Sequence, residues 1–388
     1  MSSGGGHKVR LIALVAAVII AASGSPRASA APAAASKPVP ATVREWRLPI
    51  SANTRAAIAA AAPSVPTWSR TITVGATRYR YRMVGTNPFA RRKKPVTKVR
   101  TQIIPIALTF TGTGHVYDPT AADPDCLGGA NAVERTLASP VFKNHSYSLA
   151  GTNLGSVQFV DAFQRATFWK FTKPSGINPD YHVKLSPSVL PTMNLSVTGT
   201  EINTPCGRMG LIDVGAFQGQ LLSHLADFAA AGVNSKRFPL LLLSNVVMYE
   251  GTPSHCCILG FHGAIANPFD GGLQTLAVAD YDSTQYFGGT RDIGVVTHEV
   301  GEWMDDPTGA NPTPAWGHTG QVSGCQANLE VGDPLSGTAM EVTMPDGTVY
   351  HPQEMAFFSW FYGQTPSLGV NGWYSMNGTF TAPAAPCT

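Results

Sequence analysis

The chain has 388 residues, a length that fits one large domain with an extension. Hydrophobic residues make up 44% and charged residues 13%, so the chain can bury a core and is neither a disordered tail nor a coiled coil. The formal net charge of +3 is too small to indicate nucleic-acid binding.

The N-terminus has the pattern of a secretory signal. Lys8 and Arg10 precede a short apolar run at residues 11–22, and small residues at 28–30 form a cleavage site. Residues 1–30 are therefore predicted to be a signal peptide, with an uncleaved anchor as the alternative. The mature protein is expected to be secreted and to have no contact with a membrane.

An Ala/Pro-rich leader is predicted at residues 31–98. Alternating side chains at 69–84 favour a pair of strands. The basic cluster at 91–94 is either a processing site that releases a pro-segment or a solvated linker. The compact domain is predicted at residues 99–388.

Within that domain the pattern mixes strands and helices. Strands are predicted at 103–110, 238–249 and 273–281, and helices at 131–137, 158–169, 218–231 and 290–304. Asp306-Pro307 ends the last helix, because the residue before a proline disfavours helical geometry. The chain beyond it is irregular and rich in Gly, Pro and aromatic residues. The predicted fold class is therefore α+β.

Six cysteines indicate disulfide bonds, because an even number in an exported chain favours pairing. They allow 15 pairings, and the sequence does not choose among them. Cys256 and Cys257 are adjacent, and a bond between neighbours is strained, so we expect them to have different partners.

The most informative motif is His298-Glu299-Val300-Gly301-Glu302 on the last predicted helix. Residues four apart lie on one helical face, so His298 and Glu302 present two metal ligands side by side. Glu299 lies one step round the helix, where a carboxylate can act as general base toward a metal-activated water. The motif predicts a divalent metal site with Glu299 as the catalytic residue.

A third metal ligand is expected downstream of the motif. Glu330, in the turn-rich Glu330-Val331-Gly332-Asp333 segment, is the first choice. Asp333 is the second, as a ligand or as the partner that orients His298. His318 and His351 are further alternatives. Zinc is the first candidate ion, with calcium and manganese as alternatives because Glu302 makes the ligand set harder.

The motif resembles the His-Glu-x-x-His helix of zincin-type zinc metallopeptidases, with Glu302 in place of the second His. The chain also resembles poorly characterised secreted bacterial proteins and, more distantly, plant phosphate-induced, exordium-like proteins. Those proteins share the helix, the following Asp306-Pro307 and the Glu330–Asp333 segment. The resemblance implies a zincin-like mixed sheet with a motif-bearing helix and a loop-rich, disulfide-stabilised C-terminal part.

Two functions follow as expectations. The first is a secreted metal-dependent hydrolase, most simply a peptidase acting on a protein or peptide substrate. The second is a non-catalytic extracellular or cell-wall-associated binding protein with a structural metal ion. The aromatic run at 357–362 is interpreted as core, with a polysaccharide-stacking surface as the alternative. No Gly-x-Ser-x-Gly pattern supports serine hydrolase chemistry.

Overall fold

The structure is a computed structural model that describes residues 43–44, 58 and 61–388 of the chain. The predicted signal peptide, residues 1–30, lies outside the described residues. Every helix in the described part of the chain falls short of the length and apolar content that crossing a bilayer requires.

The described residues form a mixed α+β structure, which confirms the predicted fold class. The helices are α1 Ala132–Ala138, α2 Phe159–Thr167, α3 Trp169–Thr172, α4 Val214–Ser223, α5 Leu225–Ala230, α6 Gly294–Asp305 and α7 Phe358–Phe361. The strands as far as residue 213 are β1 Thr67–Val74, β2 Thr77–Val84, β3 Val96–Phe110, β4 Val116–Tyr117, β5 His145–Leu149, β6 Thr152–Val157, β7 His182–Val189, β8 Met193–Val197, β9 Gly199–Asn203 and β10 Arg208–Asp213. The later strands are β11 Phe238–Ser244, β12 Val246–Tyr249, β13 Cys256–Ile258, β14 Gly260–Ala266, β15 Leu273–Tyr281, β16 Pro312–Gly317, β17 Cys325–Asn328, β18 Val342–Thr343 and β19 Val349–Tyr350.

A seven-stranded sheet forms the centre of the structure. Its strands follow the order β14-β15-β11-β3-β4, and β7 and β8 also pair with the long β3. The β15–β11–β3 ladders are parallel, whereas β14 pairs antiparallel with β15 at one edge. Parallel strands buried on both sides are typically continuous apolar runs, which explains the uninterrupted leucines of β11.

The two faces of this sheet carry separate hydrophobic cores. On the first face, Ile103, Leu240 and Leu242 belong to the core that includes residues of α2 and α6. On the second face, Ile104 and Leu241 belong to the core that includes residues of α4 and α5. Successive side chains of a strand point to opposite faces, so these neighbours necessarily separate.

Two predicted elements are each divided in the structure. The strand predicted at 238–249 is β11 and β12, which belong to different sheets and are separated at Asn245 by a φ of 56°. The helix predicted at 218–231 is α4 and α5, which are separated at His224 with φ −100° and ψ 13°. Hydrophobic periodicity continues across both breaks, so it does not reveal them.

The end of the predicted leader is part of the folded structure. Strands β1 and β2 pair as an antiparallel hairpin, and Trp68, Met83 and Val84 lie in the first-face core. The boundary predicted at 98/99 falls inside β3. Removal of residues 31–98 stays a prediction.

Disulfide bonds join Cys126 to Cys206, Cys325 to Cys387 and Cys256 to Cys257. The prediction that Cys256 and Cys257 have different partners is wrong. The peptide bond between them is cis and their Cα atoms are 3.0 Å apart, which brings the two thiols together. The Cys325–Cys387 bond ties the C-terminus to β17 in the loop-rich C-terminal part.

The aromatic run at 357–362 is core. Phe357, Phe358, Trp360, Phe361 and Tyr362 are each no more than 6% exposed. Their rings pack against one another and against Tyr81 of β2 in tilted and edge-to-face arrangements, so the interpretation of this run as core is confirmed.

Candidate metal centre

The motif helix is α6, which packs on β14 and β15 of the large sheet. His298 and Glu302 lie one turn apart on its inner side, and the distance from His298 Nε2 to Glu302 Oε2 is 3.1 Å. Gly301 lies against Met355, and a Cβ at this position would overlap the Met355 sulfur. The helix ends at Asp305, directly before Asp306-Pro307, as predicted. The Asp306 carboxylate accepts hydrogen bonds from the backbone N–H groups of residues 310 and 311 in the loop that follows.

Asp333 completes a trio of ligand atoms with this pair. Its Oδ1 lies 3.6 Å from His298 Nε2, and the candidate ligand atoms of His298, Glu302 and Asp333 all lie within 4.8 Å of one another. Glu330, the first choice from sequence, lies in the same cleft, with its Oε2 3.6 Å from Nε2 of His262. The structure thus places Asp333 in the trio and Glu330 beside it.

Sequence reasoning missed His262 on β14. Its Nδ1 lies 3.5 Å from Glu299 Oε2 and 3.4 Å from Glu302 Oε2, which makes a second trio that shares Glu302. No motif surrounds His262 in the sequence. Only its place on an edge strand facing α6 brings it to the cluster.

The two other histidine alternatives lie outside both trios. His351 is held by Asp292, with 2.6 Å between His351 Nδ1 and Asp292 Oδ2. His318 is exposed and groups only with Cys325 and Cys387, whose sulfurs form a disulfide and are therefore not thiolate ligands.

The distances match the spacing of ligands around one small cation. Zinc–ligand distances of about 2.1 Å in a tetrahedral site put neighbouring ligand atoms about 3.4 Å apart. The separations from Nε2 of His298 to Glu302 and Asp333 are 3.1 and 3.6 Å. The separations from Nδ1 of His262 to Glu299 and Glu302 are 3.5 and 3.4 Å.

Both histidine rings are oriented by pure acceptors. Nδ1 of His298 lies 3.1 Å from the side-chain oxygen of Gln353, whose own amide donates to Gly332 O. Nε2 of His262 lies 3.0 Å from Asp306 O. Each acceptor requires a proton on the facing nitrogen, so the other nitrogen of each ring faces the cluster, as in metal-binding histidines.

The carboxylates are also held in place. Glu302 Oε1 accepts from the backbone N–H groups of Gly332 at 3.0 Å and Asp333 at 3.3 Å. Asp333 accepts from the side-chain amides of Gln321 and Gln326. A side chain on Gly332 would meet the His298 ring, since its Cβ would be 2.5 Å from Nδ1. This close approach accounts for the Gly in the Glu-x-Gly-Asp segment.

The charge balance of the cleft favours a cation. Four carboxylates line it, those of Glu299, Glu302, Glu330 and Asp333, and Arg44 supplies the only Lys or Arg charge among its described residues. All four acidic residues are less than 5% exposed. Buried carboxylates are costly unless they are paired or bind a metal, so the donor set fits a divalent ion.

The electrostatics of the buried groups show the same excess of negative charge. Burial lowers the pKa of His298, but Glu302, Glu299 and Asp333 outweigh it and hold that pKa well above its usual value. Burial likewise opposes ionisation of Glu302, but His298 and His262 hold its pKa below the usual range.

Glu299 differs from its neighbours. Burial raises its pKa, and it is 4% exposed. Its Oε2 faces His262 Nδ1 at a distance of 3.5 Å. A Cβ at Gly260 would come within 2.6 Å of its Oε1, so this glycine leaves room for the carboxylate. The geometry supplies a buried carboxylate with a raised pKa beside a ligand cluster.

Comparisons with known proteins give no relative. No protein-family model, no curated protein and no solved structure matches the chain.

Proposed function

We propose that the chain is a zincin-like, metal-dependent hydrolase that acts on peptides, with its ion held by His298, Glu302 and Asp333. The carrying observation is the buried trio with a raised-pKa carboxylate, Glu299, beside it. Zinc is the first candidate ion, since imidazole with carboxylates suits zinc. Manganese and calcium remain alternatives because carboxylates supply most of the charge.

A bound divalent ion supplies Lewis-acid chemistry, polarising a carbonyl and making water a stronger acid. Glu299 takes the proton from the attacking water. Its raised pKa suits this task, since a general base works best when its pKa lies near the working pH. After bond cleavage Glu299 delivers the proton to the leaving amine.

His262 positions Glu299 in this scheme. Its Nε2–H donates to Asp306 O, which fixes the ring. Nδ1 then faces Glu299 Oε2 at 3.5 Å, so imidazole and carboxylate hold one proton between them. This arrangement keeps the carboxylate aimed into the cleft through the proton transfers.

A peptide substrate is supported by the cleft mouth. Val43 and Arg44, from the predicted leader, line the same cleft as the cluster. The backbone N–H of Arg44 donates a hydrogen bond to the backbone oxygen of Cys257 on β13. An extended peptide can use the same main-chain acceptor, and such pairing gives affinity that is independent of side chains.

The test combines metal analysis with a conservative variant. We expect about one zinc per chain by elemental mass spectrometry, and hydrolysis of casein that a chelator abolishes. Glu299→Gln should keep the metal and lose activity by about 10²- to 10⁴-fold, because only the proton transfer is removed. Glu341→Gln, on an exposed carboxylate, is the matched control and should match the wild type. A metal-free chain or a fully active Glu299→Gln overturns the proposal.

A structural ion is the second candidate, in a non-catalytic extracellular or cell-wall-associated binding protein. The cavity at the cluster is about 50 Å³, room for an ion and a few waters. In that case chelation lowers the free energy of unfolding by about 3 kcal/mol when free metal had been near 100 times its Kd, and the melting temperature falls with it. No substrate is hydrolysed. A coordination shell made entirely of protein atoms would favour this function.

A further inference from the structure

A second cavity lies on the second face of the large sheet, under helices α4 and α5. Its volume is about 240 Å³. Ile104, Leu241 and Leu276 line it from the sheet, and Leu221 and Phe228 line it from the helices. The cavity is therefore built from the same apolar surfaces that form the second-face core.

This cavity is separate from the metal cleft. Phe261 and His262 are consecutive residues of β14, and successive side chains of a strand point to opposite faces. The Phe261 ring belongs to the second-face core, whereas His262 faces the ligand cluster on the other side. A ligand in the cavity would therefore not touch the cluster.

The cavity opens beside two unusually exposed side chains. Leu222 and Phe269 both line it, and each is 55% exposed, the highest values for large hydrophobic residues in the described part of the chain. Exposed apolar side chains grouped at a concave surface are typical of ligand-binding sites. They mark the entrance for an apolar molecule.

One buried amide distinguishes the cavity from a packing defect. Gln218 lines it and is 7% exposed, yet its Nε2 has no hydrogen-bond partner among the described residues. The other two amides that line the cavity are satisfied: Asn267 donates to Gln274, and Gln274 donates to backbone oxygens. A buried donor without a hydrogen-bond partner raises the free energy of the folded protein. A ligand oxygen that accepts from Gln218 Nε2 would therefore be stabilising.

Size and charge restrict the ligand. An apolar cavity of about 150 Å³ holds benzene, so one of about 240 Å³ accommodates roughly ten non-hydrogen atoms. No Lys, Arg, Asp or Glu is among the described residues that line it. A buried carboxylate would have no counter-charge, so the oxygen must belong to a neutral group.

We propose that this cavity binds a neutral, medium-chain acyl compound, whose chain fills the space under α4 and α5 and whose carbonyl oxygen accepts from Gln218 Nε2. The proposal concerns a site apart from the metal cleft and does not depend on the proposed hydrolase function. It predicts selectivity for chain length, for neutral over charged head groups and for a hydrogen-bond acceptor.

The test is calorimetric titration of the full chain with 2-nonanone, which has ten non-hydrogen atoms. We expect saturable binding, weakening by about fourfold for each methylene removed towards 2-pentanone. Nonanoate, the charged analogue, should bind at least tenfold more weakly. Gln218→Leu should weaken 2-nonanone binding by about tenfold, because it keeps the shape and removes the donor.

A second pair of variants addresses the cavity itself. Ala229 lines it and Ala230, its neighbour on α5, is exposed. Ala229→Leu should fill the space and abolish binding, and Ala230→Leu should bind as the wild type does. Circular dichroism checks that each variant is folded. Absence of saturable binding, equal affinity for nonanoate, or an unaltered affinity of folded Ala229→Leu or Gln218→Leu overturns the proposal. Glu302→Gln should leave 2-nonanone binding unchanged.

Discussion

The two faces of the central sheet carry opposite chemistry at almost the same point. His262 reaches a cluster of carboxylates on the first face, and Phe261, the preceding residue, lies in an apolar core on the second. Separating the two side chains requires no additional free energy, because successive side chains of a pleated strand alternate between its faces. One edge strand thus helps to build two concave sites.

The faces differ in what each requires for stability. The first face gathers acidic groups whose desolvation must be offset by protons or a cation. The second face leaves one amide of Gln218 unmet in otherwise apolar surroundings. A charged ligand therefore suits the first face and a neutral ligand the second. Substitutions on one face should leave binding at the other unchanged.

The largest expected effect is on the first face. Glu302→Gln should weaken zinc binding by more than about 100-fold, because the neutral amide is a poor ligand and Glu302 belongs to both trios. The retained side-chain oxygen still accepts from Gly332 and Asp333, so the fold is preserved. Titration calorimetry of the metal-stripped protein measures the change. Zinc affinity equal to that of Glu341→Gln would show that the trios do not hold the ion.

A smaller effect is expected on the second face. Leu221 is 9% exposed and Leu222 is 55% exposed, although both are leucines of α4. Leu221→Ala should lower the free energy of unfolding by about 2 kcal/mol, because it removes buried methyl groups and enlarges the cavity. Leu222→Ala should change it by no more than about 0.5 kcal/mol. Urea denaturation compares the two, and equal losses would contradict the assigned burial.

The smallest expected effect, counted per pH unit, is a pH dependence on the first face. Burial raises the pKa of Asp305 to about 8, whereas in the unfolded chain it is about 4. Between these two pKa values the folded state keeps a proton that the unfolded chain has lost. The free energy of unfolding therefore falls as pH rises towards 8. The slope is at most about 1.4 kcal/mol per pH unit.

Asp305→Asn removes this slope while keeping an oxygen that accepts from Gln164. The variant should therefore gain stability relative to the wild type as pH rises from about 5 to 8. Denaturation series at several pH values measure the difference. Parallel pH profiles for the two proteins would contradict a raised pKa at Asp305.

The predictable part of the site lies within one helix. The spacing of His298 and Glu302 dictates that they share a face, and Asp306-Pro307 dictates where the helix ends. Residues brought from other elements were not predictable in the same way. Asp333 and Glu330 lie three residues apart on one irregular segment, so no periodicity ranks one above the other.

By itself the sequence determined the mixed α+β class, the motif helix and its pair of candidate ligands, because propensity and side-chain period act between residues close in the chain. Only the tertiary structure decided that His262 joins the cluster, that Asp333 enters the first trio and that Cys256 bonds to Cys257. Those outcomes depend on strand order, loop path and backbone geometry. These are set by packing between distant segments, which leaves no local periodic pattern in the chain.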